Sequence, residues 1–414
     1  MTNGNASELG TNLFIQDSSG GNWVEAAASQ QPLKPGQLIE LQGITTQTDF
    51  APDIVKASWS VLGPARMPAA VRAEFGTLAS AKLDSRLAEI EGIIRSAEIV
   101  KGDLKLQIAM DGGTAMGYVP NLSQGVPPHL VDAKVRIRAV SGAIFNEHNQ
   151  VRGVNLFKAG LGDISVLKPG FADPFLVPKQ SIDSLLRFTA QGSAGHRVRI
   201  SGVVTLQRRG RYFFLTDNVG GVLVQSADQN LLRPGDRVEA VGFPAIGQYV
   251  PKLEQAVVRV VEHGPPPPAR PVTATQLRQM TGDGELVQVE ADLLDRALTS
   301  AQQILFAKAD NSLVIAQLEG AELTGNFADV RPGSRVLLTG VRSLQDDGDS
   351  ASNALRLLLR SPEDIVVLSK PSWWTFRHAI WAFGVMSGVI LVAFAWMAIM
   401  RRQYASKRPL FAGG

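Results

Sequence analysis

The stretch Leu13–Val24, LFIQDSSGGNWV, places an apolar segment, an acidic turn with paired glycines and a second apolar segment in a row. Nearly the same pattern returns at Tyr212–Val224, YFFLTDNVGGVLV. Looser copies occur at Leu104–Val119 (LKLQIAMDGGTAMGYV) and Ile304–Ile315 (ILFAKADNSLVI). Apolar runs on both sides of an Asp- and Gly-containing turn predict a β-hairpin. The chain therefore repeats one hairpin four times.

A second landmark follows each hairpin: a turn, which is Pro-Gly in three of the copies, and then an alternating strand. These turns lie at Gly36, Ala133, Gly235 and Gly333, which are 97, 102 and 98 residues apart. Proline presets φ and glycine supplies a positive φ, so the pair predicts a type II-like turn without a further role. A period of about 100 residues is the size of a small domain and too long for a solenoid repeat.

The later repeats each begin with an alternating strand, at Leu87–Ile94, Val198–Leu206 and Leu286–Leu294. Five or so short strands with glycine-rich turns and one short helix fit a Greek-key barrel of the OB type better than an immunoglobulin sandwich. We therefore predict a mainly β fold of tandem OB-like barrels, joined by short helices and followed by a transmembrane helix. The predicted divisions are an incomplete repeat 1 (1–66), repeat 2 with a leading helix (67–170), repeat 3 (171–264), repeat 4 (265–369), a segment leading to the membrane (370–378), the helix (379–400) and a basic tail (401–414).

Repeat 1 has no alternating strand before its hairpin, because only 16 residues precede Asp17. Its barrel is expected to keep an unpaired edge, as in a sequence that starts inside a domain. Proline-rich segments connect the repeats and are expected to be stiff. Helical spacing is predicted after them, at Val71, Phe75 and Leu78 and again at Ile182, Leu185 and Leu186.

The chain has 414 residues, a net charge of +3 and no cysteine. Disulfides, thiolate catalysis and cysteine metal sites are therefore excluded. From Lys370 onward there are six basic residues and no acidic residue, so residues 1–369 carry 35 basic and 38 acidic side chains. Nucleic-acid binding depends heavily on phosphate neutralisation, and this slightly acidic part led us to expect no nucleic-acid partner.

The C-terminal basic residues flank Ala379–Met400, AIWAFGVMSGVILVAFAWMAIM, which is 22 residues long and uncharged. At about 1.5 Å per residue this segment spans a bilayer core of about 30 Å. The residues expected at the membrane interfaces are Trp373, Trp374, Arg377, Trp396, Arg401 and Arg402. The excess of basic residues after the helix favours a cytoplasmic C-terminus and places the repeats outside the inner membrane.

Inside this segment, Gly384 and Gly388 form a G-x-x-x-G pair, which lets two helix backbones approach closely. Gly384, Ser387 and Gly388 are the candidate positions for helix packing in a homodimer. Glycine is common in membrane helices in general, so a helix without a packing partner is the alternative.

No motif indicates catalysis, a cofactor or a metal, and we expect this chain not to be an enzyme. Asp17, Asp111, Asp217 and Asp310 recur at hairpin turns, where Asp binds backbone amides, and no partner acid or His recurs with them. The segment QRRGRYFF, Gln207–Phe214, is compatible with an oligonucleotide surface but reads better as a hairpin tip. The acidic loop Asp346–Asn353 lacks the full spacing of a calcium loop.

The repeated hairpin with LKPGQLIELQG, followed by PSWWTFRHAIWAFGVMSGVILVAFAWMAIMRRQ, resembles the N-terminal half of certain bacterial membrane sensor histidine kinases. The resemblance implies tandem OB-like repeats that sense an unknown extracytoplasmic ligand and a helix that reports to a cytoplasmic output domain. It departs from the family at both ends: no export signal precedes the repeats, and no kinase or diguanylate cyclase domain follows Arg402. The alternative is a membrane-anchored envelope scaffold that binds glycans or proteins and transmits no signal.

Overall fold

The computed structural model of the protein describes residues 6–7, 10–26, 33–46, 52–120, 122, 125–145, 151–158, 160–188, 195–217, 220–246, 251–280, 284–299, 302–319, 330–343, 354–371 and 376–405. These residues form four β-sheets in succession along the chain and then a long helix. The predicted fold class, tandem OB-type barrels with a C-terminal apolar helix, is confirmed.

Repeat 1 is an open sheet with the strand order β1-β2-β3-β5-β4. Its strands are β1 (Ala6–Ser7), β2 (Gly10–Gln16), β3 (Gly21–Ala26), β4 (Gln37–Thr46) and β5 (Asp53–Pro64). β1 pairs with β2 over two residues only, and β4 lies at the edge of the sheet. The buried core is small and consists of Leu13, Val24, Leu33 and Ala57.

Repeat 2 has the same strand order and is closed. Its elements are β6 (Val71–Arg72), α1 (Phe75–Ala79), β7 (Leu87–Val100), β8 (Asp103–Met110), β9 (Gly113–Val119), β10 (Lys134–Phe145), β11 (Val151–Phe157) and β12 (Ile164–Lys168). The first long strand, β7, pairs with β8 on one side and with β10 on the other, which closes the barrel. The helical prediction is wrong at Val71, which pairs with Ala88 in a short parallel strand before α1 begins.

Repeat 3 is a closed barrel that a short helix precedes. Its elements are α2 (Ile182–Phe188), β13 (Val198–Arg208), β14 (Tyr212–Thr216), β15 (Gly221–Gln225), β16 (Arg237–Ile246) and β17 (Pro251–Glu262). β13 pairs with both β14 and β16, and the parallel pair β15–β17 completes the ring. The alternating side chains of β13, Val198 and Ile200, enter the core because successive residues of a strand point to opposite faces.

Repeat 4 closes in the same way, through the pair β19–β22. Its elements are β18 (Arg270–Pro271), α3 (Ala274–Gln279), β19 (Leu286–Leu298), β20 (Gln302–Ala309), β21 (Ser312–Glu319), β22 (Arg335–Ser343), β23 (Leu355–Leu358) and β24 (Ile365–Ser369). Thr273 and Gln276 form a reciprocal capping box that fixes the start of α3. The last element is α4 (Phe376–Ala405).

The recurring Asp lies at the hairpin turn of every repeat, and the turn has two forms. In repeat 1 the Asp17 carboxylate accepts hydrogen bonds from the backbone N–H groups of Ser19 and Gly20, at 2.8 and 3.1 Å. Asp217 accepts from Gly220 in the same way, at 3.0 Å. In repeats 2 and 4 the strands are instead joined by two-residue turns, Asp111-Gly112 and Asp310-Asn311. The structural interpretation of these residues is confirmed for Asp17 and Asp217.

Candidate functional site

The Pro-Gly turns have positive φ as predicted, and they also receive the segment that leaves each barrel. Gly235 has φ +102°, and a Cβ added there would lie 2.4 Å from the carbonyl oxygens of Gly264 and Pro265. Gly333 has φ +85°, and its Cβ would lie 3.2 Å from Pro371, shortly before α4 begins. The turn therefore fixes the direction in which the chain leaves the barrel, a role that the sequence analysis did not assign.

Repeat 2 has no glycine at this turn, and the sequence comparison placed its landmark one residue too late. The residue with positive φ is Asp132 (φ +69°), not Ala133. The buried Asp132 carboxylate accepts a hydrogen bond from Arg197 N at 3.0 Å and lies 3.0 Å from His196 Nδ1. Asp132 thus replaces glycine at a strained position and binds the start of repeat 3.

The second contact between repeats 2 and 3 is formed by Arg95, whose side chain is only 6% exposed. Its guanidinium lies 3.4 Å from the Glu254 carboxylate and 5.3 Å from the centre of the Phe243 ring, both in repeat 3. Burial lowers the pKa of Arg95, and the Glu254 charge opposes that shift. A buried cation of this kind is stable only while its partner remains in place, so the junction has a defined geometry.

Repeats 3 and 4 share an apolar cluster. It contains Leu206, Phe214 and Leu223 from repeat 3 and Leu286, Val341 and Leu358 from repeat 4. Arg208 Nη2 donates to the Leu359 carbonyl at 2.7 Å, and Arg211 forms an ion pair with Glu319 at 3.0 Å. Burial raises the pKa of Tyr212, beside this cluster, to about 12. The segment QRRGRYFF is therefore largely committed to the junction between the repeats.

Repeats 1 and 2 meet through the repeated hairpin itself. A Cβ on Gly21 would lie 2.0 Å from the Ser85 carbonyl oxygen, so only glycine allows this approach. Gln16 Oε1 accepts from Leu87 N at 2.9 Å, and the rings of Phe14 and Phe157 are 5.1 Å apart. The second of the paired glycines, Gly21, thus has a packing role in addition to its place beside the turn.

A cleft of about 700 Å³ lies between these two repeats. Aromatic and charged side chains line it, among them Trp23, Phe157, Asp53, Asp84 and Arg86. Burial raises the pKa of Asp84 despite hydrogen bonds from Ala143 N and Ser85 Oγ, and burial together with the Asp84 charge raises that of Asp53. Aromatic faces beside polar groups suit a small polar ligand.

The helix α4 includes a span, Ile380–Gln403, that is long and apolar enough to cross a membrane. Its described side chains are exposed, and a Cβ added at Gly384 or Gly388 would meet no atom within 4 Å. Ser387 lies on the same helix face, because residues three and four apart are neighbours. The glycine face is therefore free within the described chain.

The structure describes some of the predicted membrane-interface residues and not others. Trp396 lies within the exposed helix, and Arg401 and Arg402 lie near its end. Arg377 belongs to α4, but its side chain is outside the described part. Trp373, Trp374 and the acidic loop Asp346–Asn353 also lie outside the described residues.

The junction roles of Arg95, Asp132 and Arg208 were not predicted from the sequence. Each is a charged residue within or beside an apolar strand segment, where an unpaired charge is unfavourable. That signal indicates a buried partner, but the partner lies in another repeat and cannot be identified from one strand.

A scan against protein-family models found no match, and a search of curated proteins found none. Several solved structures do match. A murine DNA-binding protein bound to double-stranded DNA is 10% identical, with coverage of 42% of this chain and 99% of that chain and a TM-score of 0.24. The Ifi202 HINa domain with 20-bp double-stranded DNA is 8% identical, with coverage of 42% and 96% and a TM-score of 0.22. Fission yeast Pot1 with single-stranded DNA is 10% identical, with coverage of 47% and 88% and a TM-score of 0.23.

These matches correct one expectation from the sequence. The exclusion of a nucleic-acid partner does not stand: proteins bound to double-stranded and single-stranded DNA are among the structures that match. A slightly acidic net charge is a property of the whole repeat region, whereas binding depends on the charges of one local surface. The likeness itself concerns the fold and assigns no ligand to this chain.

Proposed function

We propose that this chain is the extracytoplasmic sensing and transmembrane part of a bacterial signal receptor of the sensor-kinase type. The observation that carries the proposal is the series of junctions from repeat 2 to repeat 4, whose polar and apolar contacts include buried side chains, with α4 next along the chain after repeat 4. Packed junctions of this kind change between discrete arrangements more readily than they deform. A ligand that alters one junction can therefore change the packing as far as repeat 4, which precedes the helix in the chain.

The proposal places α4 in the inner membrane with the repeats outside and the C-terminus in the cytoplasm. The 30 residues of α4 extend for about 45 Å, which is more than the hydrocarbon core requires. Arg401, Arg402, Lys407 and Arg408 follow the uncharged segment Ala379–Met400, whereas only Lys370 and Arg377 lie shortly before it. This asymmetry supports the orientation.

In the proposed receptor, two copies of α4 pack through Gly384, Ser387 and Gly388. Small residues at this spacing allow close helix contact, and the face has no partner within the described chain. A change in the crossing of the two helices would carry the signal. The catalytic output belongs, by resemblance, to a kinase or cyclase domain and not to these residues.

The alternative is a membrane-anchored envelope protein that binds glycans or proteins without transmitting a signal. The cleft between repeats 1 and 2, with its aromatic and carboxylate lining, favours a binding role of this kind. Both functions use the same barrels. They differ in whether a change at a junction reaches the helix.

Cysteine crosslinking separates the two, because the natural chain has no cysteine. In bacterial membranes, full-length Ser387→Cys is expected to form disulfide dimers at several times the yield of Ala393→Cys, a small residue on the opposite face. Equal yields would contradict the packing face.

The same assay tests transmission. Adding Asp132→Ala to the Ser387→Cys chain removes the buried acceptor of Arg197 N and is expected to change the dimer yield about twofold or more. Asp17→Ala, which alters an exposed turn in repeat 1, is the control and is expected to leave the yield unchanged. An unchanged yield in Asp132→Ala, with the dimer still present, supports the scaffold and not the receptor.

A further inference from the structure

The first long strand of repeats 2, 3 and 4 contains a β-bulge at the same place. In β7, β13 and β19 the register with the following strand shifts by one residue. The residue in the bulge is Arg95 in repeat 2, Thr205 in repeat 3 and Leu294 in repeat 4. Arg95 and Thr205 are 6% and 1% exposed, whereas Leu294 is 52% exposed. One position is therefore buried and polar in two repeats and exposed and apolar in the last.

In repeats 2 and 3 the next barrel covers the bulge. Arg95 Nη2 donates to the Pro244 carbonyl of repeat 3 at 3.5 Å. Thr205 Oγ1 donates at 3.0 Å to the carbonyl of Gly284, which lies just before β19 in repeat 4. Each bulge residue thus holds the following barrel through a hydrogen bond. A leucine side chain has no donor, so Leu294 cannot hold a barrel in this way.

The strands beside the bulge present an apolar face in repeat 4. The strand registers place Phe306 and Ile315 at the positions that Phe214 and Leu223 occupy in repeat 3. Phe214 and Leu223 are buried in the cluster that repeat 3 shares with repeat 4, whereas Phe306 and Ile315 are only partly buried. Ile304, on the same side of β20 as Phe306, is also partly buried. We call the following residues the docking face: Leu294, Ile304, Phe306 and Ile315.

The docking face lies beside the segment that leads to α4. Gly333 N donates to the carbonyl of Leu293, the neighbour of Leu294, at 2.7 Å. A Cβ on Gly333 would in turn lie 3.2 Å from Pro371. α4 begins at Phe376, five residues after Pro371, and five extended residues reach at most about 18 Å. Repeats 2 and 3 are each followed by another barrel, and repeat 4 is followed by this helix.

The charged edge of the docking face argues against another barrel as its occupant. Asp295, next to the bulge, stands at the position of Leu206, which is buried between repeats 3 and 4. Asp295 is exposed, and burial of its carboxylate beneath a barrel is unfavourable unless it is paired. A lipid surface differs from a barrel because its headgroup region is hydrated. Apolar side chains enter the boundary with the acyl chains, while charged ones stay in water.

We propose that the docking face of repeat 4 rests on the lipid surface around the start of α4. The inference rests on the proposed position of α4 in the membrane. The lipid boundary takes up leucine, isoleucine and phenylalanine side chains and requires no hydrogen bond from them. Because α4 keeps the docking face close to the bilayer, the effective concentration is high, and burial of a few partly exposed side chains is sufficient.

The contact is apolar and not electrostatic. Asp295 and Lys308, which lie at two edges of the docking face, are both exposed and carry opposite charges. Their effects on a charged surface largely cancel, and the Lys308 stem extends its amine toward the headgroups. Docking is therefore expected to be about equal on zwitterionic and anionic lipid and to change little with salt.

The test measures contact between a fluorescent label and lipid in the full chain, reconstituted in phosphatidylcholine nanodiscs that contain nitroxide-labelled lipid. The natural chain has no cysteine, so one introduced cysteine carries each label. Ala297→Cys places the label opposite Ile304, at the edge of the docking face. Glu363→Cys is the matched control, because Glu363 is exposed on the side of repeat 4 that lines a cleft with repeat 3. Quenching at Ala297→Cys is expected to be at least about threefold stronger than at Glu363→Cys.

Substitutions in the docking face separate contact from mere proximity. Leu294→Asp is expected to reduce the quenching at Ala297→Cys by about half or more, because a carboxylate does not enter the lipid boundary. Leu294→Thr introduces the residue that repeat 3 has at this position and should reduce it less. This milder change keeps the test valid if Leu294→Asp disturbs β19. Val366→Asp, at an exposed position of the same repeat, should leave the quenching unchanged.

A third label, at Val392→Cys within α4, separates this inference from the proposed function. Quenching at Val392→Cys without quenching at Ala297→Cys would overturn the docking of repeat 4 and leave the membrane helix in place. Lack of quenching at both positions would overturn both proposals. If the Ala297→Cys label is shielded from aqueous iodide but not quenched by lipid, a second copy covers the docking face and the inference is wrong. Equal quenching in the natural chain and both Leu294 variants would also overturn it.

Discussion

Repeat 3 and repeat 1 carry nearly the same hairpin and the same Pro-Gly turn, yet their cores differ. In repeat 3, Val238 and Ala240 belong to β16, which pairs with the closing strand β13, and both side chains are completely buried. In repeat 1, Ile39 and Leu41 stand at the same positions and remain partly accessible. Both strands are apolar at these two positions, so the burial of these side chains depends on the neighbour that closes the barrel.

The contribution of apolar burial to stability therefore differs between the repeats. A side chain in the fourth strand is removed from water only when the first strand pairs beside it, and burial is the main favourable term in folding. Repeat 1 is therefore expected to be the least stable of the four repeats. Regions with few buried apolar contacts open locally at lower free energy than the rest of a protein.

Replacing core residues of the two repeats gives the largest expected difference. Ile200→Ala in repeat 3 is expected to lower the free energy of unfolding by about 2–5 kcal/mol, because it leaves a cavity in a closed core. Ile39→Ala in repeat 1 is expected to cost about 1 kcal/mol, since part of the side chain is already in water. Hydrogen exchange resolved by repeat, on the full chain, measures both. Equal costs in the two repeats would show that β4 is already covered.

The Pro-Gly turns allow a second comparison between repeat 1 and repeat 3. Gly235→Ala places a methyl group against the exit segment at a positive φ, so we expect a loss of about 2 kcal/mol or more. Gly36→Ala has the positive φ, but its Cβ would lie 3.6 Å from the nearest atom, and about 1 kcal/mol is expected. Thermal unfolding of the two variants should therefore differ. Similar losses in the two variants would show that the positive φ alone causes the loss of stability. The contact with the exit segment would then have no role in it.

Most of the fold follows from local sequence patterns. The strand–turn–strand repeat predicts the hairpins, and the alternation in Val198–Leu206 predicts a half-buried strand that β13 extends to Arg208. The error at Val71 arose because apolar spacing over a few residues suits a helix and a short strand equally. Val71 forms a strand because it pairs with Ala88, a tertiary contact that the local sequence does not show.

The candidate site was less predictable because its residues act between repeats. Arg208 reads as part of a basic hairpin tip, and its acceptor, the Leu359 carbonyl, lies 151 residues away. Asp132 interrupts the Pro-Gly pattern and looked like a degenerate copy. Its carboxylate in fact holds the next repeat. By contrast, the length and composition of Ala379–Met400 are sufficient to identify a helix able to cross a membrane.

The smallest expected effect is a difference in pH dependence between the two regions. Burial raises the pKa of Asp84 beside repeat 1. In repeat 3, burial alone would raise the pKa of Asp236, but hydrogen bonds from Arg233 N and His263 outweigh it and lower the pKa. Folded Asp84 thus holds its proton more tightly than the unfolded chain does, and folded Asp236 holds its proton less tightly.

The signs follow from proton linkage. As the pH falls through the raised pKa of Asp84 toward the ordinary value of 3.8, the junction of repeats 1 and 2 should gain stability. The contribution of Asp236 is present above 3.8 and is lost as the pH falls through its lowered pKa. Hydrogen exchange, corrected for the intrinsic pH dependence of the rates, should show the gain in the natural chain and not in Asp84→Asn, while Asp236→Asn changes only repeat 3. If the gain persists in Asp84→Asn, another titratable group of the cleft must cause it. Asp53 is the first candidate, because burial and the Asp84 charge raise its pKa.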